Sequence, residues 1–274
     1  LTTSFGGKGA NQALAALRAG ADTRFIARIG RDPFGDRLAK HLADSGLPGE
    51  GLLRDHTTSA GVALIGVDRE GTNQIMVAPG SNRRLLPEHI LGLEDLFRGC
   101  RVFLAQLETP LQTVRAGLEK ARERGLFTVL DPAPSRKLSG SLYPLLDLIT
   151  PNEREAEDLT GTRVDSPQAA REAGRILLRR GCGAALVTLG SQGAMLCQAQ
   201  EEELIPAHAV RAVDTVAAGD AFNGALAAAL ARNSSLQEAA RFAAAAAAIS
   251  TTSPGAQDSL PKREKIEELL QSGT

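Results

Sequence analysis

Two short stretches of the 274-residue chain hold residues whose types and spacing can do chemistry. The first is Phe5-Gly6-Gly7-Lys8-Gly9-Ala10-Asn11-Gln12, three glycines around a lysine that run into an alanine-rich segment. It fails the phosphate-loop pattern G-x-x-x-x-G-K-[ST], because Gly9 rather than a hydroxyl residue follows Lys8, and it also fails G-x-G-x-x-G. What remains is a glycine turn that lets backbone amides approach a ligand, with Lys8 and Asn11 projecting from a helix start. That set suits hydrogen bonding to a polyhydroxylated molecule, although a plain turn with a helix cap fits the same residues. The second stretch is Val213-Asp214-Thr215-Val216-Ala217-Ala218-Gly219-Asp220-Ala221-Phe222-Asn223-Gly224. Its small residues lead directly into a helical pattern, so the N–H groups of Ala217, Ala218 and Gly219 can converge on an anion at the positive end of that helix. Asp220 stands at the same mouth. A carboxylate there would repel a bound phosphate unless it faced a substrate hydroxyl, and an acidic residue that only caps the helix is the plainer reading.

The elements that must position these stretches follow from periodicity. Helical spacing covers residues 10–19, 33–45, 87–97, 111–124 and 167–180, with Gly46 and Gly181 as stops, and strand patterns cover 24–29, 102–107, 127–130 and 185–189. Repeated βα units with short connections imply an α/β chain with a mostly parallel sheet covered by helices on both faces. Residues 59–82 break the alternation. Two β-rich runs flank Asp68-Arg69-Glu70-Gly71, a turn signal, so the segment reads as an inserted antiparallel hairpin, either a lid or an edge hairpin without a role in the site. Val62, Leu64, Ile75 and Val77 are expected to form its exposed apolar face. Residues 221–231 and 236–249 are helical with dense alanine, which fits close helix packing, and 262–270 is a closing amphipathic helix.

Charge excludes some partners. With 31 basic and 32 acidic residues, the formal net charge is −1, which gives no electrostatic reason to expect nucleic acid or an anionic membrane. No apolar run reaches the length of a membrane helix, and no leader pattern is present at the N-terminus. Cys100, Cys182 and Cys197 share no metal-binding or disulfide spacing and read as plain thiols in a reducing, cytoplasmic setting.

Taken together, Gly6-Gly7-Lys8-Gly9-Ala10-Asn11-Gln12-Ala13 and Asp214-Thr215-Val216-Ala217-Ala218-Gly219-Asp220 resemble the N- and C-terminal signatures of the ribokinase, or PfkB, family of carbohydrate kinases, in the right order. The resemblance implies a ribokinase-like three-layer fold, with an α/β core over residues 6–58 and 83–274 and a small β lid from residues 1–5 and 59–82. It implies ATP-dependent phosphorylation of D-ribose at the 5-hydroxyl. Gly7, Lys8, Gly9, Ala10, Asn11 and Glu108 would contact the sugar, with Asp220 as general base and the amides of Ala217, Ala218 and Gly219 as anion hole. Asn152, Thr188, Leu189, Gly190, Ser191, Gln192 and Gly193, together with Gly219 and Asp220, would bind ATP. Glu155 would organise Mg²⁺ through water. K⁺ would be held by Asp214, Val216, Ser250, Ser253, Gly255 and Ser259, mostly through backbone carbonyls. A homodimer formed through the lid is implied as well.

Two departures qualify the match. Ala217 stands where a glycine is common, at small expected cost because the anion hole uses amides. The family also carries a first sheet strand and an N-x-D motif ahead of the glycine loop, so the expectation is that the natural protein begins upstream of Leu1 and that a chain starting there associates poorly. Competing readings are a deoxyribose or nucleoside kinase of the same family, the latter disfavoured by one Tyr, no Trp and eight scattered Phe, and a non-catalytic sugar-binding homologue.

Overall fold

A computed structural model describes residues 3–67 and 73–272. The first third of the chain runs α1 (Lys8–Arg18), β1 (Ala27–Gly30), α2 (Pro33–Asp44), β2 (Leu52–Asp55), β3 (Val62–Val67), β4 (Asn73–Ala78) and the short α3 (Pro87–Leu91). The core continues as β5 (Val102–Ala105), α4 (Leu111–Glu123), β6 (Phe127–Leu130), β7 (Leu148–Ile149), α5 (Glu153–Thr160), α6 (Pro167–Arg179), β8 (Ala184–Thr188), β9 (Ala194–Cys197), β10 (Glu202–Ile205), α7 (Ala218–Ala231), α8 (Leu236–Ser250) and α9 (Arg263–Ser272).

The main sheet has the order β10-β9-β8-β7-β6-β5, parallel from β5 to β8 and antiparallel at β9 and β10. Its strands are buried on both faces, as a parallel sheet between helices requires. Val129, Leu148, Ala184 and Leu186 face the alanine-rich helices α7 and α8, while Leu130, Ile149, Ala185 and Val187 face residues of α4, α5 and α6. Full burial of each such leucine or valine contributes about 1.5–3 kcal/mol. Alternation along each strand therefore builds two cores and three layers. Cys182 and Cys197 lie buried within the second, where loss of solvation pushes the thiols up to about 12 and about 11, and Cys100 is half-buried.

Two local differences from the sequence reading have simple causes. Residues 87–97 are not one helix: α3 ends at Gly92, and a single tight turn, Glu94–Phe97, follows. A second parallel pair, β1–β2, stands apart from the main sheet, and a slot of about 410 Å³ lined by Phe25, Ile26, Phe97, Phe103 and Leu104 borders β5.

The hairpin β3–β4 forms its own two-stranded antiparallel sheet. The tip, where the turn Asp68–Gly71 was expected, lies outside the described residues, as does the Ile75 side chain. Register corrects the expected face. Leu64 pairs with Met76 and Ala63 with Val77, so Leu64 and Val77 belong to opposite faces, and Leu64, Met76 and Val77 are all exposed. Residues 3–5 form no strand, and the Phe5 ring stacks on His41 with centroids 4.1 Å apart. No helix among the described residues is long and apolar enough to cross a membrane.

Candidate active site

The site forms where the parallel strands end. Gln106 and Glu108 follow β5, Asp131 follows β6, Asn152 follows β7 and the 189–193 turn follows β8, all at the carboxyl edge where α/β sheets place their ligands. The starts of α1 and α7 meet the same edge. They can do so because their facing residues are small: a methyl on Gly224 would lie 2.4 Å from Ala15 Cβ and 2.5 Å from the Gln12 carbonyl oxygen. Only glycine lets the two backbones approach so closely.

Close approach puts side chains separated by some two hundred residues in contact. Asn11 Nδ2 donates to Asp220 Oδ2 at 2.8 Å, and Gln12 Nε2 donates to Asp220 Oδ1 at 2.9 Å. Asp220 sits in the first turn of α7 and is 5 % exposed. Gln12 Nε2 also donates to Asp131 Oδ2 at 2.7 Å, and Gln12 Oε1 accepts from Gln106 Nε2. Behind Asn11, Gln257 Nε2 donates to Asn11 Oδ1 at 3.0 Å, and the Gln257 amide oxygen contacts His41 Nε2 at 2.7 Å. Gln12, Asp131 and Gln257 were not among the residues singled out from sequence. A carboxylate directly after the strand pattern 127–130, in Leu130-Asp131-Pro132, is the signal that could have pointed to Asp131.

The glycine loop turns over this network. Gly7 has φ 97, a left-handed conformation that strains any side chain. The turn presents the Lys8 N–H to Glu108 Oε2 at 2.9 Å. Gly9 and Ala10 continue into α1. Four carboxyl groups surround Lys8. Burial, the largest single influence, works to lower its pKa, but the combined fields of Asp220, Asp131, Glu155 and Glu108 leave it raised. Burial in turn raises Glu108 and Glu155, and it pushes Asp131 up to about 8 against the opposing pull of Lys8. A cation beside Glu108, Asp131 and Glu155, three acids that burial makes costly to ionise, is an arrangement suited to polar, uncharged hydroxyls.

At the start of α7, Ala217 adopts φ 60, a left-handed conformation unusual for alanine. The amides of Ala217 and Gly219 meet no acceptor among the described residues, whereas the Ala218 N–H donates to the Thr215 carbonyl at 3.2 Å. Two of the three expected anion-hole donors are therefore free, and the third is engaged. Asn223 fixes the helix from below, donating to the Gly219 carbonyl and accepting from Thr150 Oγ1.

Asn152 and Glu155 do a structural job the sequence reading did not assign. Asn152 Oδ1 accepts the Glu155 N–H at 2.8 Å and Glu155 Oε2 accepts the Asn152 N–H at 2.9 Å, a reciprocal cap on α5. Asn152 bridges to Thr188, and the turn Leu189, Gly190, Ser191, Gln192 and Gly193 follows, bringing this whole set to one edge. Asn152 Oδ1 and Glu155 Oε2 are taken by the cap, which leaves Glu155 Oε1 as the oxygen that can accept from a water of hydrated Mg²⁺.

The 213–217 and 250–259 segments are laced together. Asp214 Oδ1 accepts the Val216 N–H and Oδ2 accepts the Gly255 N–H, each at 2.9 Å, and the Thr251 carbonyl accepts from Val213 and Asp214. The hydroxyls of Ser250 and Ser259 donate to nearby carbonyls, and Ser253 is exposed.

Residues 1–263 match the model for "pfkB family carbohydrate kinase". The chain belongs to this family. It is 40% identical over 268 residues to a ribokinase of Haemophilus influenzae, covering 98% of this chain and 88% of that one. It is 36% identical over 266 residues to a deoxyribokinase of Salmonella typhimurium, covering 97% and 87%. Among solved structures, an Arabidopsis thaliana ribokinase complexed with ribose and ATP superposes with a TM-score of 0.92 at 30% identity, covering 97% of this chain and 87% of that one. The expected α/β fold with a mostly parallel sheet between helices is the family fold.

Proposed function

We propose that this pfkB-family chain is an ATP-dependent kinase of D-ribose that phosphorylates the 5-hydroxyl to give ribose 5-phosphate. The observation that carries the reading is the Asp220 carboxylate, held at the amide-rich start of α7 by two side chains of the glycine-loop helix. Similarity to relatives named ribokinases supports the choice of sugar. The backbone of Gly7, Gly9 and Ala10, with the side chains of Lys8, Asn11 and Glu108, holds the sugar hydroxyls. Asp220 takes the proton of the 5-hydroxyl as that oxygen attacks the γ-phosphorus in line, and ADP departs on the opposite side. The amides of Ala217 and Gly219, joined by Ala218 once it releases Thr215, stabilise the charge on the transferred group. The turn 188–193 carries the nucleotide.

Mg²⁺, when bound, neutralises the phosphate charge, and Asn152 and Glu155 would hold it through water. K⁺ would sit against carbonyls of Val216, Ser250, Ser253, Gly255 and Ser259 beside Asp214, fixing the two loops that border the amides. In this reading residues 6–58 and 83–274 make the catalytic core, residues 1–5 and 59–82 make a lid that closes over the sugar, the exposed lid faces pair two copies of the chain, and the setting is cytoplasmic. A 2-deoxyribose substrate is the second reading, favoured by the 36% identity to a deoxyribokinase.

The test is turnover of ribose and of 2-deoxyribose by Asp220→Asn, which preserves volume and removes the proton acceptor. Turnover is expected to fall about 10²-fold or more, with the sugar KM changing far less. Near-normal turnover would take Asp220 out of the mechanism, and a preference for deoxyribose in the parent enzyme would replace the sugar.

A further inference from the structure

We propose that Gln12 is a positioning residue for Asp220, fixing which way the carboxylate faces without itself touching sugar or nucleotide. This rests on the reading of Asp220 as the general base. Gln12 is 1 % exposed, so no ligand reaches it. Its side-chain amide has two hydrogens and both are used, one on Asp220 Oδ1 at 2.9 Å and one on Asp131 Oδ2 at 2.7 Å. Its carbonyl oxygen accepts from Gln106 Nε2. Three of the four directions of the amide plane are thereby occupied, both donors among them, so a flip would set the carbonyl oxygen against two carboxyl groups.

The consequence falls on Asp220. With Gln12 on Oδ1 and Asn11 on Oδ2, both carboxylate oxygens are held by amides from consecutive positions of α1. Rotating the carboxylate out of its plane would break two hydrogen bonds to a buried acid. The remaining lone pairs are therefore aimed in a fixed direction, which is what in-line proton removal needs. Gln12 is also the link by which the end of β6 reaches α7, since Asp131 and Asp220 share it as donor.

A staple between helices would look similar in the coordinates, so the experiment separates the two roles. Gln12→Met keeps length and removes every hydrogen bond; Gln106→Met removes only the support behind Gln12 and serves if the first variant is unstable. Each is made in the parent enzyme and in Asp220→Asn, with kcat and the sugar KM measured for all. A positioning role predicts a kcat loss of about 10- to 100-fold for Gln12→Met and a smaller one for Gln106→Met, each with KM within about threefold, and both losses shrinking below about twofold on the Asp220→Asn background. Equal losses on both backgrounds, or a loss confined to KM, would show a structural role and overturn the proposal. Full activity of Gln12→Met would do the same. Near-normal turnover of Asp220→Asn alone would instead overturn the base assignment, so the two failures are distinguishable.

Discussion

Replacing Asp131 by Asn should remove a large pH-dependent part of the stability. Asp131 is 4 % exposed at the end of β6, and burial drives its carboxyl from the ordinary 3.8 up to about 8. The fields of Glu155 and Asp220 add to that rise; Lys8 and the Gln12 hydrogen bond oppose it. Because the folded pKa lies above the unfolded one, the native state retains a proton that the unfolded chain has lost throughout the interval between them. Stability contributed by that proton is complete below about pH 4 and is lost as pH rises toward about 8, at about 1.4 kcal/mol per pH unit. By about pH 7 the penalty relative to a neutral side chain is on the order of 4 kcal/mol, a large part of a domain's stability. Asparagine cannot titrate, and its carbonyl can still accept the Gln12 amide that Asp131 accepts now. Urea unfolding of both proteins, without sugar, from about pH 5 to about pH 8 gives the difference, since titrating groups that do not feel Asp131 cancel. The advantage of Asp131→Asn should widen with pH and then level off. A difference that is flat across the range would refute the idea of a carboxyl kept protonated by burial.

Gly224→Ala should cost about 1–3 kcal/mol in urea unfolding, because the new methyl meets Ala15 Cβ at 2.4 Å and α1 must retreat; kcat should fall with it, and unchanged activity would mean that α1 tolerates displacement. Exchanging K⁺ for Na⁺ at constant ionic strength should slow the parent enzyme, and Asp214→Asn should narrow the gap between the salts; equal rates in both salts would count against a selective cation site. Because Leu64 and Met76 pair on one exposed face of the hairpin, the proposed lid dimer should fall to monomer when both are replaced with Arg, and a parent that sediments as a monomer, or an unchanged coefficient, would refute pairing through this face.

Local signals made most of the core legible. The helix at Pro33 is announced by Asp32, whose side chain accepts the Gly35 N–H at 2.8 Å, and the helix at Leu236 by the Ser235–Glu238 capping box. Strand β6 matches its expected bounds because its apolar run is bracketed by turn residues. By contrast β7 is two residues long and exists because β6 and β8 flank it, so no pattern of its own could reveal it. The site divides along the same line. Lys8, Asn11 and Asp220 were legible from motifs, and the structure gathers them at one edge. Gln12 and Gln257 are defined by distant partners that no local spacing records, and Asp131 is marked locally only by its place after β6. Asn152 and Glu155, proposed to organise a hydrated cation, close a helix cap, a use that their spacing of three also signals.

The small residues along the α1–α7 seam then acquire a chemical as well as a packing reason. Alanine and glycine at the contact draw the backbones together until amides one residue apart on α1 reach the two oxygens of one carboxylate on α7. Arg18, at the other end of α1, donates to the carbonyls of Gln257 and Leu260, and Gln257 returns to Asn11. Helix α1 is thus tied at both ends to the end of the 250–259 loop, Gln257, and to Leu260 just after it. A shift of that loop would pull on Asn11 through Gln257, and through Asn11 on Asp220, the proposed base. In this fold, tightening the seam and aiming the carboxylate are one physical event.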